Sequence, residues 1–179
     1  KRVDGSIENV DNVWEDIEPI AVSIFPWDDN GYRPKSEARV FYTTTHIYIR
    51  FMAYEDEIVA TYTNMNEPVY KDSCVEFFIN PTPNTDDRYL NFEMKPYGTL
   101  NLGIGADRYD RKAINSWYLP IFNIKSSITP ETIGEYGGEF WWVEYSIPLD
   151  FLRELYKDIE FKSGVHMKGN FYKCGDDTK

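Results

Sequence analysis

Apolar and aromatic residues recur at every second position of this chain, in short runs cut by turn signals. That period leaves β-strands as the main building element. In "CVEFFI" Val75, Phe77 and Ile79 fall on one face and Cys74, Glu76 and Phe78 on the other. "YLNFEMK" sorts into Leu90, Phe92 and Met94 against Tyr89, Asn91, Glu93 and Lys95. "FWWVEYSI" opposes Trp141, Val143, Tyr145 and Ile147 to Phe140, Trp142, Glu144 and Ser146. "HMKGNFYKC" opposes Met167 and Phe171 to Lys168, Asn170, Tyr172 and Cys174, with Gly169 weakening the pattern. Between the runs stand "PWDDNGYRPKS", "NPTPNTDD", "PYGT", "EYGGE" and "FKSG", rich in Pro, Gly, Asn and Asp. "PLDFLRELY" departs from the period: Leu149, Leu152 and Tyr156 have helical spacing after a proline suited to a helix start. The expected fold is all-β, an antiparallel β-sandwich with one short helix near the C-terminal third, in a single domain spanning residues 1–179.

Size and charge narrow the function classes. The chain has 179 residues, 42% hydrophobic and 17% aromatic, enough for one sizeable core. A formal charge of −11 repels nucleic acid and anionic membrane. No apolar run approaches the roughly 20 residues of a spanning helix, so membrane insertion is not expected. The opening "KRVDGSIENV" has no signal-peptide core, and any export signal is expected to be gone already. Cys74 and Cys174 match no metal or redox spacing, which leaves open whether they pair.

On each strand one face is purely apolar, suited to a second sheet, while the other mixes Trp, Tyr, Glu, Asn and Lys. Glu76 stands mid-strand in that mixed set, where a charge must be solvated, paired or used. Flat rings with convergent amides and carboxylates suit a sugar, whose C–H face stacks while its hydroxyls bind polar groups. The same residues admit a plainer account, a cross-strand ion-pair ladder of Glu76, Glu93 and Lys95.

The runs "VYKDSCVEFFINP", "YLNFEMKPYGTL", "VEYSIP" and "GNFYKCGD" resemble the stand-alone family 9-like carbohydrate-binding modules. Those are similar to the family 9 modules appended to xylanases and, more distantly, to DOMON-type domains. The opening "VDGSIENVDNVWEDIEPI" and the strand-like "HIYIRFMAYED" extend the likeness over nearly the whole chain. The resemblance implies a β-sandwich holding a terminal, often reducing-end, sugar between two aromatic rings. The first ring falls on Tyr70, the carboxylate on Glu76 and the last-strand asparagine on Asn170. The second ring's position is occupied by Lys173, so Tyr172 or Trp142 stands as its substitute. Glu93, Lys95, Trp142 and Glu144 form a second rank. The implied partner is a plant- or microbe-derived oligosaccharide or polysaccharide, met extracellularly or in a bacterial periplasm beside glycoside hydrolases. No cofactor is implied beyond structural calcium, for which Asp28, Asp29, Asp86 and Asp87 offer oxygens. Similar stand-alone proteins run past "CGDDTK", so one wall of the site is expected to be missing.

The same residues admit three other readings. Glu76, Glu93 and Glu144 could serve a glycosidase, which needs two carboxylates about 5–10 Å apart across a substrate. Binding sites use carboxylates as plain acceptors, and no cleft signal accompanies these, so no enzyme is expected. A haem-binding DOMON reading would draw on His46 or His166 with Met52 or Met65. A domain that keeps the fold but has lost its sugar is the remaining alternative. "GIGADRYDR" lacks the third glycine of a dinucleotide loop and reads as a hairpin or loop. Trp117 and Tyr118 beside it are expected to cover the core edge.

Overall fold

A computed structural model describes residues 1–3, 10–26, 31–157, 159–175 and 178, with the backbone alone of residue 69. The alternating runs form strands in two antiparallel five-stranded sheets. One sheet is ordered β1 (Ile20–Ala21), β2 (Ser36–Tyr42), β3 (His46–Ala53), β9 (Trp141–Pro148), β8 (Lys125–Ser126). The other is ordered β10 (Lys168–Cys174), β4 (Cys74–Asn80), β5 (Tyr89–Met94), β6 (Leu100–Gly105), β7 (Lys112–Ala113). The apolar faces meet as the period of two requires. Ile47, Ile49 and Phe51 of β3 and Val143, Tyr145 and Ile147 of β9 share one buried cluster with Val75, Phe77, Leu90, Phe92 and Leu102 of the second sheet. Each such side chain contributes roughly 1.5–3 kcal/mol by leaving water. Phe171 of β10 stacks on Phe77 with centroids 5.0 Å apart. A side chain at Gly169 would stand 3.1 Å from the Phe78 carbonyl and 3.3 Å from the Phe77 ring, which is why glycine interrupts the pattern there.

The helical spacing after Pro148 gives α2 (Leu149–Leu155), with Leu149, Phe151 and Leu152 buried. A second helix, α1 (Val10–Trp14), was not expected, because five residues are too few to show a helical period. It drops Trp14 onto Phe41 outside the first sheet, 4.7 Å between centroids. None of the described helices is long and apolar enough to cross a membrane.

The mixed face is not one surface. β4, β5 and β10 turn theirs outward from the second sheet, while β9 lies in the first sheet and turns Trp142 and Glu144 outward on the opposite side of the sandwich. Alternation assigns a residue to a side of its own strand and carries no information on which sheet the strand joins.

Candidate functional site

The outward residues of β10, β4, β5 and β6 floor a cavity of about 910 Å³. In register, Glu76 of β4 faces Glu93 of β5 on one side and Tyr172 of β10 on the other. Glu93 faces Asn101 of β6 in turn. The alternative ladder of Glu76, Glu93 and Lys95 does not form: the two carboxylates directly across from each other repel, and Lys95 is buried against Asp72 instead. Neighbouring donors hold the pair in place. Asn91 Nδ2 donates to Glu93 Oε1 at 2.5 Å, Asn101 Nδ2 donates to Oε2 at 2.6 Å, and the Arg111 guanidinium lies 3.6 Å from Oε1. Burial nevertheless outweighs those three partners and raises the Glu93 pKa above the ordinary glutamate value. The Cys174 thiol hydrogen-bonds to Glu76. Asn91 is only 2% exposed, and its Oδ1 has no hydrogen-bond partner among the described residues. The floor therefore carries a surplus of acceptors.

Aromatic rings stand around it. Tyr70, 39% exposed, comes from the short 3-10 turn Val69–Lys71. Tyr172 packs edge-on against Phe78 at 5.2 Å, and Phe78 lies 5.8 Å from Tyr89. Asn170 Nδ2 donates to the Tyr172 hydroxyl at 3.2 Å. Lys173, at the position expected for the second ring, points the other way: its Nζ lies 2.9 Å from Glu55 Oε1, with both side chains buried. Glu55 also accepts from Trp141 Nε1 at 2.6 Å and from Ser73 Oγ at 3.2 Å. Odd and even positions of β10 look to opposite faces, so in this register a ring at residue 173 would not reach the cavity, whereas Tyr172 does.

Arg108, Arg111 and Lys112 supply the remaining rim. Arg108 and Arg111 lie in the "GIGADRYDR" segment and Lys112 opens β7 directly after it, a hairpin in which β6 pairs with β7. Asp107 Oδ1 accepts from the amides of Tyr109 and Asp110 and sets the bend. The hairpin folds tightly over Gly105, where an added Cβ would lie 2.7 Å from the Arg111 backbone. Asn101 and the two arginines were not anticipated, while Phe78, Tyr89 and Asn91 were placed on the mixed faces without a binding role. Asn91 and Tyr89 had a signal, since both share the outward parity of Glu93. The arginines had none, because a turn rather than a period brings them back.

Of the residues expected at the site, Tyr70, Glu76, Glu93, Asn170 and Tyr172 line the cavity, and three do not. Lys95 is fully buried, with Nζ 2.6 Å from Asp72 Oδ2 and a hydrogen bond to the Tyr62 carbonyl. Strand β5 ends at Met94, so outward parity does not extend to Lys95. Glu144 is enclosed on the far sheet by Trp14 Nε1 at 2.8 Å, Arg50 Nη2 at 2.5 Å and Lys125 at 3.3 Å. Trp142 lies against the Arg50 guanidinium in that same cluster, 5.0 Å from its centroid. Trp117 is 71% exposed and does not cover the core, while Tyr118 packs on Phe151 at 5.2 Å.

The histidines and methionines that a haem would need are scattered over the molecule. His46 Nδ1 lies 2.9 Å from the Thr45 hydroxyl, His166 is exposed, Arg39 donates to the Met52 sulfur, and Met65 packs on the core. Both oxygens of Asp86 engage Arg88, and Asp87 beside it is exposed; Asp28 and Asp29 lie outside the described residues. Among the described residues no three His, Cys, Asp or Glu side chains gather as a metal site would require.

Cys74 and Cys174 are register partners across β4 and β10, and both are free thiols. Burial first, then the Glu76 charge, pushes both thiol pKa values well above normal. Both are therefore expected to resist iodoacetamide in the folded protein at pH 8 and to react promptly once it is unfolded in urea, as mass spectrometry would record. Rapid labelling of the folded protein would contradict the burial argument.

A search of curated protein sequences finds no match to the chain. Among solved structures, one from Bacteroides uniformis, described as a candidate carbohydrate-binding protein, superposes with a TM-score of 0.82 at 28% identity, covering 100% of this chain and 84% of that one. A family 9 carbohydrate-binding module from Caldicellulosiruptor kristjanssonii in complex with glucose has a TM-score of 0.58 at 15% identity, covering 96% of this chain and 76% of that one. The cellotriose complex from the same organism gives 0.60 and 15%, covering 99% and 78%. At that identity these two speak for the shared fold alone. The model of carbohydrate-binding family 9 matches residues 9–179, nearly the whole chain. The chain belongs to carbohydrate-binding family 9, a family of non-catalytic sugar-binding modules.

Proposed function

We propose that this protein binds the end of a plant- or microbe-derived oligosaccharide on the outer face of its second sheet. The observation that carries this reading is the acceptor surplus: the Glu76 and Glu93 carboxylates side by side, with the unpartnered Asn91 Oδ1 beside them. Such a floor calls for a ligand rich in hydrogen-bond donors, and sugar hydroxyls meet that description. Tyr70 and Tyr172 offer the stacking surfaces, Asn170 a further polar contact, and Arg108 and Arg111 donors at the rim. The antiparallel strands hold Glu76, Glu93, Asn170 and Tyr172 in place before the ligand arrives, which limits the ordering cost of binding. Membership of carbohydrate-binding family 9, of which the Caldicellulosiruptor module seen with glucose and with cellotriose is another member, supports the ligand class. The reading places the protein outside the cytoplasm, where such polymers lie and where glycoside hydrolases act.

Calorimetric titration with cellobiose, xylobiose and their reduced alditols, with calcium present, tests it. Saturable heat with the sugars and none with the alditols is expected for a site that takes the reducing end. Absence of binding by every one of them would leave a family fold without this ligand class.

The site should also be acid-sensitive. Glu93 has a raised pKa, so it takes up a proton at a higher pH than an ordinary glutamate. Its protonated form can no longer accept freely from Asn91, Asn101 and a hydroxyl. Affinity is therefore expected to fall on acidification from a point above pH 4.5, and Glu93→Gln should remove that part of the pH dependence in the same titration. An affinity constant down to pH 4 would argue against a role for Glu93.

A further inference from the structure

A smaller cavity of about 330 Å³ adjoins the large one, and the two share Phe78, Tyr89 and Asn170. Its far side is lined by Asn80, Asp87 and Lys168. The register explains the layout. Outward positions of β4 run Glu76, Phe78, Asn80, and those of β10 run Cys174, Tyr172, Asn170, Lys168 in the opposite direction, with Lys168 facing Asn80. A strand advances about 3.4 Å per residue, so Glu76 and Asn80 stand about 13 Å apart, longer than one pyranose ring.

The rings of Tyr172, level with Glu76, of Phe78, and of Tyr89, level with Asn80, form a diagonal ridge across three neighbouring strands, with centroid spacings of 5.2 and 5.8 Å. All three rings are half-buried, so each keeps part of its surface open. Polar groups lie on both sides of the ridge: the Glu76 and Glu93 floor on one, Asp87 and Lys168 on the other. Asn80 is engaged in shaping the rim, accepting from the Thr82 amide and donating to the Asp86 carbonyl. Asp87 and Lys168 are exposed and contribute one acceptor and one donor group whose charges cancel.

We propose that the smaller cavity is a further sugar subsite, so that the face takes a neutral oligosaccharide of at least three residues rather than a single terminal ring. The end residue sits over Glu76 and Glu93, the chain crosses the aromatic ridge with its C–H faces on the rings, and the next residues meet Asp87 and Lys168. This rests on the sugar-binding reading above. The shared lining makes one chain in both cavities the economical arrangement, because a linear ligand leaving the large cavity along β4 has to cross the ridge. The balanced charge beyond it fits a neutral chain.

The test is titration of the full chain with glucose, cellobiose and cellotriose, and with xylose, xylobiose and xylotriose. Affinity is expected to rise by about tenfold at the residue that reaches Asp87 and Lys168. The double variant Asp87→Ala/Lys168→Ala should lose that gain while keeping the affinity for the monosaccharide and the thermal midpoint. Equal affinities for mono-, di- and trisaccharide would overturn the subsite and leave the terminal site standing, and so would an undiminished gain in the double variant. Failure of every sugar to bind would overturn both.

Discussion

Glu76→Ala is expected to weaken binding of cellobiose or xylobiose by about 10- to 100-fold, the usual loss when a hydrogen bond to a charged acceptor disappears. The fold should survive the change. Glu76 faces Glu93 across the ladder, so its removal relieves a like-charge contact at the point where it deletes a hydroxyl acceptor. The thermal midpoint is expected to stay level or rise slightly, which separates a binding defect from an unfolding one. Glu76→Gln keeps one acceptor oxygen and the side-chain volume, and its affinity should fall between those of the parent and the alanine variant. An alanine variant that binds like the parent in calorimetry would remove Glu76 from the site.

The second large effect concerns a residue that the periodicity misplaced. Lys95→Met is expected to destabilise the protein by about 3–5 kcal/mol, read as a shift of the urea midpoint without a change in slope. The methionine fills the space but strands the Asp72 carboxylate, which is 1% exposed and now lacks its 2.6 Å ion pair. The Thr61 and Tyr62 amides still donate to Asp72 Oδ2, too little to offset the burial of a charge. Adding Asp72→Asn should recover much of the loss, because the stranded charge rather than the lost contact dominates the cost. In the parent, burial pushes the Asp72 pKa up, and Lys95 with the two amides together bring it below the ordinary 3.8. A depressed carboxyl gives stability that is present above its unfolded value and lost as pH falls through the folded one. The pair's contribution is thus expected to hold at pH 4 and above and to fade only in stronger acid.

These two glutamate and lysine cases mark how far the chain could be read without its fold. Strand positions and their two faces were legible in "CVEFFI", "YLNFEMK" and "FWWVEYSI", because a pleated strand alternates its side chains whatever its neighbours are. The short helix after Pro148 was legible for a similar local reason. Glu76 was legible as a residue in need of an explanation, since a charge amid apolar strand positions is costly unless it is used. Its partners were not. Whether it faced Lys95, Glu93 or Tyr172 depended on register between strands separated by loops, which no single strand encodes. Trp142 and Glu144 shared the outward parity of Glu76 and ended on the other side of the sandwich, held there by Arg50, Trp14 and Lys125.

By itself the sequence determined the class of fold, the inward faces of the alternating strands and the presence of aromatic and carboxylate groups outside them, all of which follow from local alternation and the cost of burying charge. Only the tertiary structure decided which of those groups meet. Pairing β4 with β5 and β10 set two carboxylates side by side, turned Lys173 inward to Glu55 and brought Tyr172 to the cavity in its place. Gly105 let the hairpin carrying Arg108 and Arg111 close over the rim. Sheet order and register arise from long-range packing, and a site built across four strands takes its geometry from them.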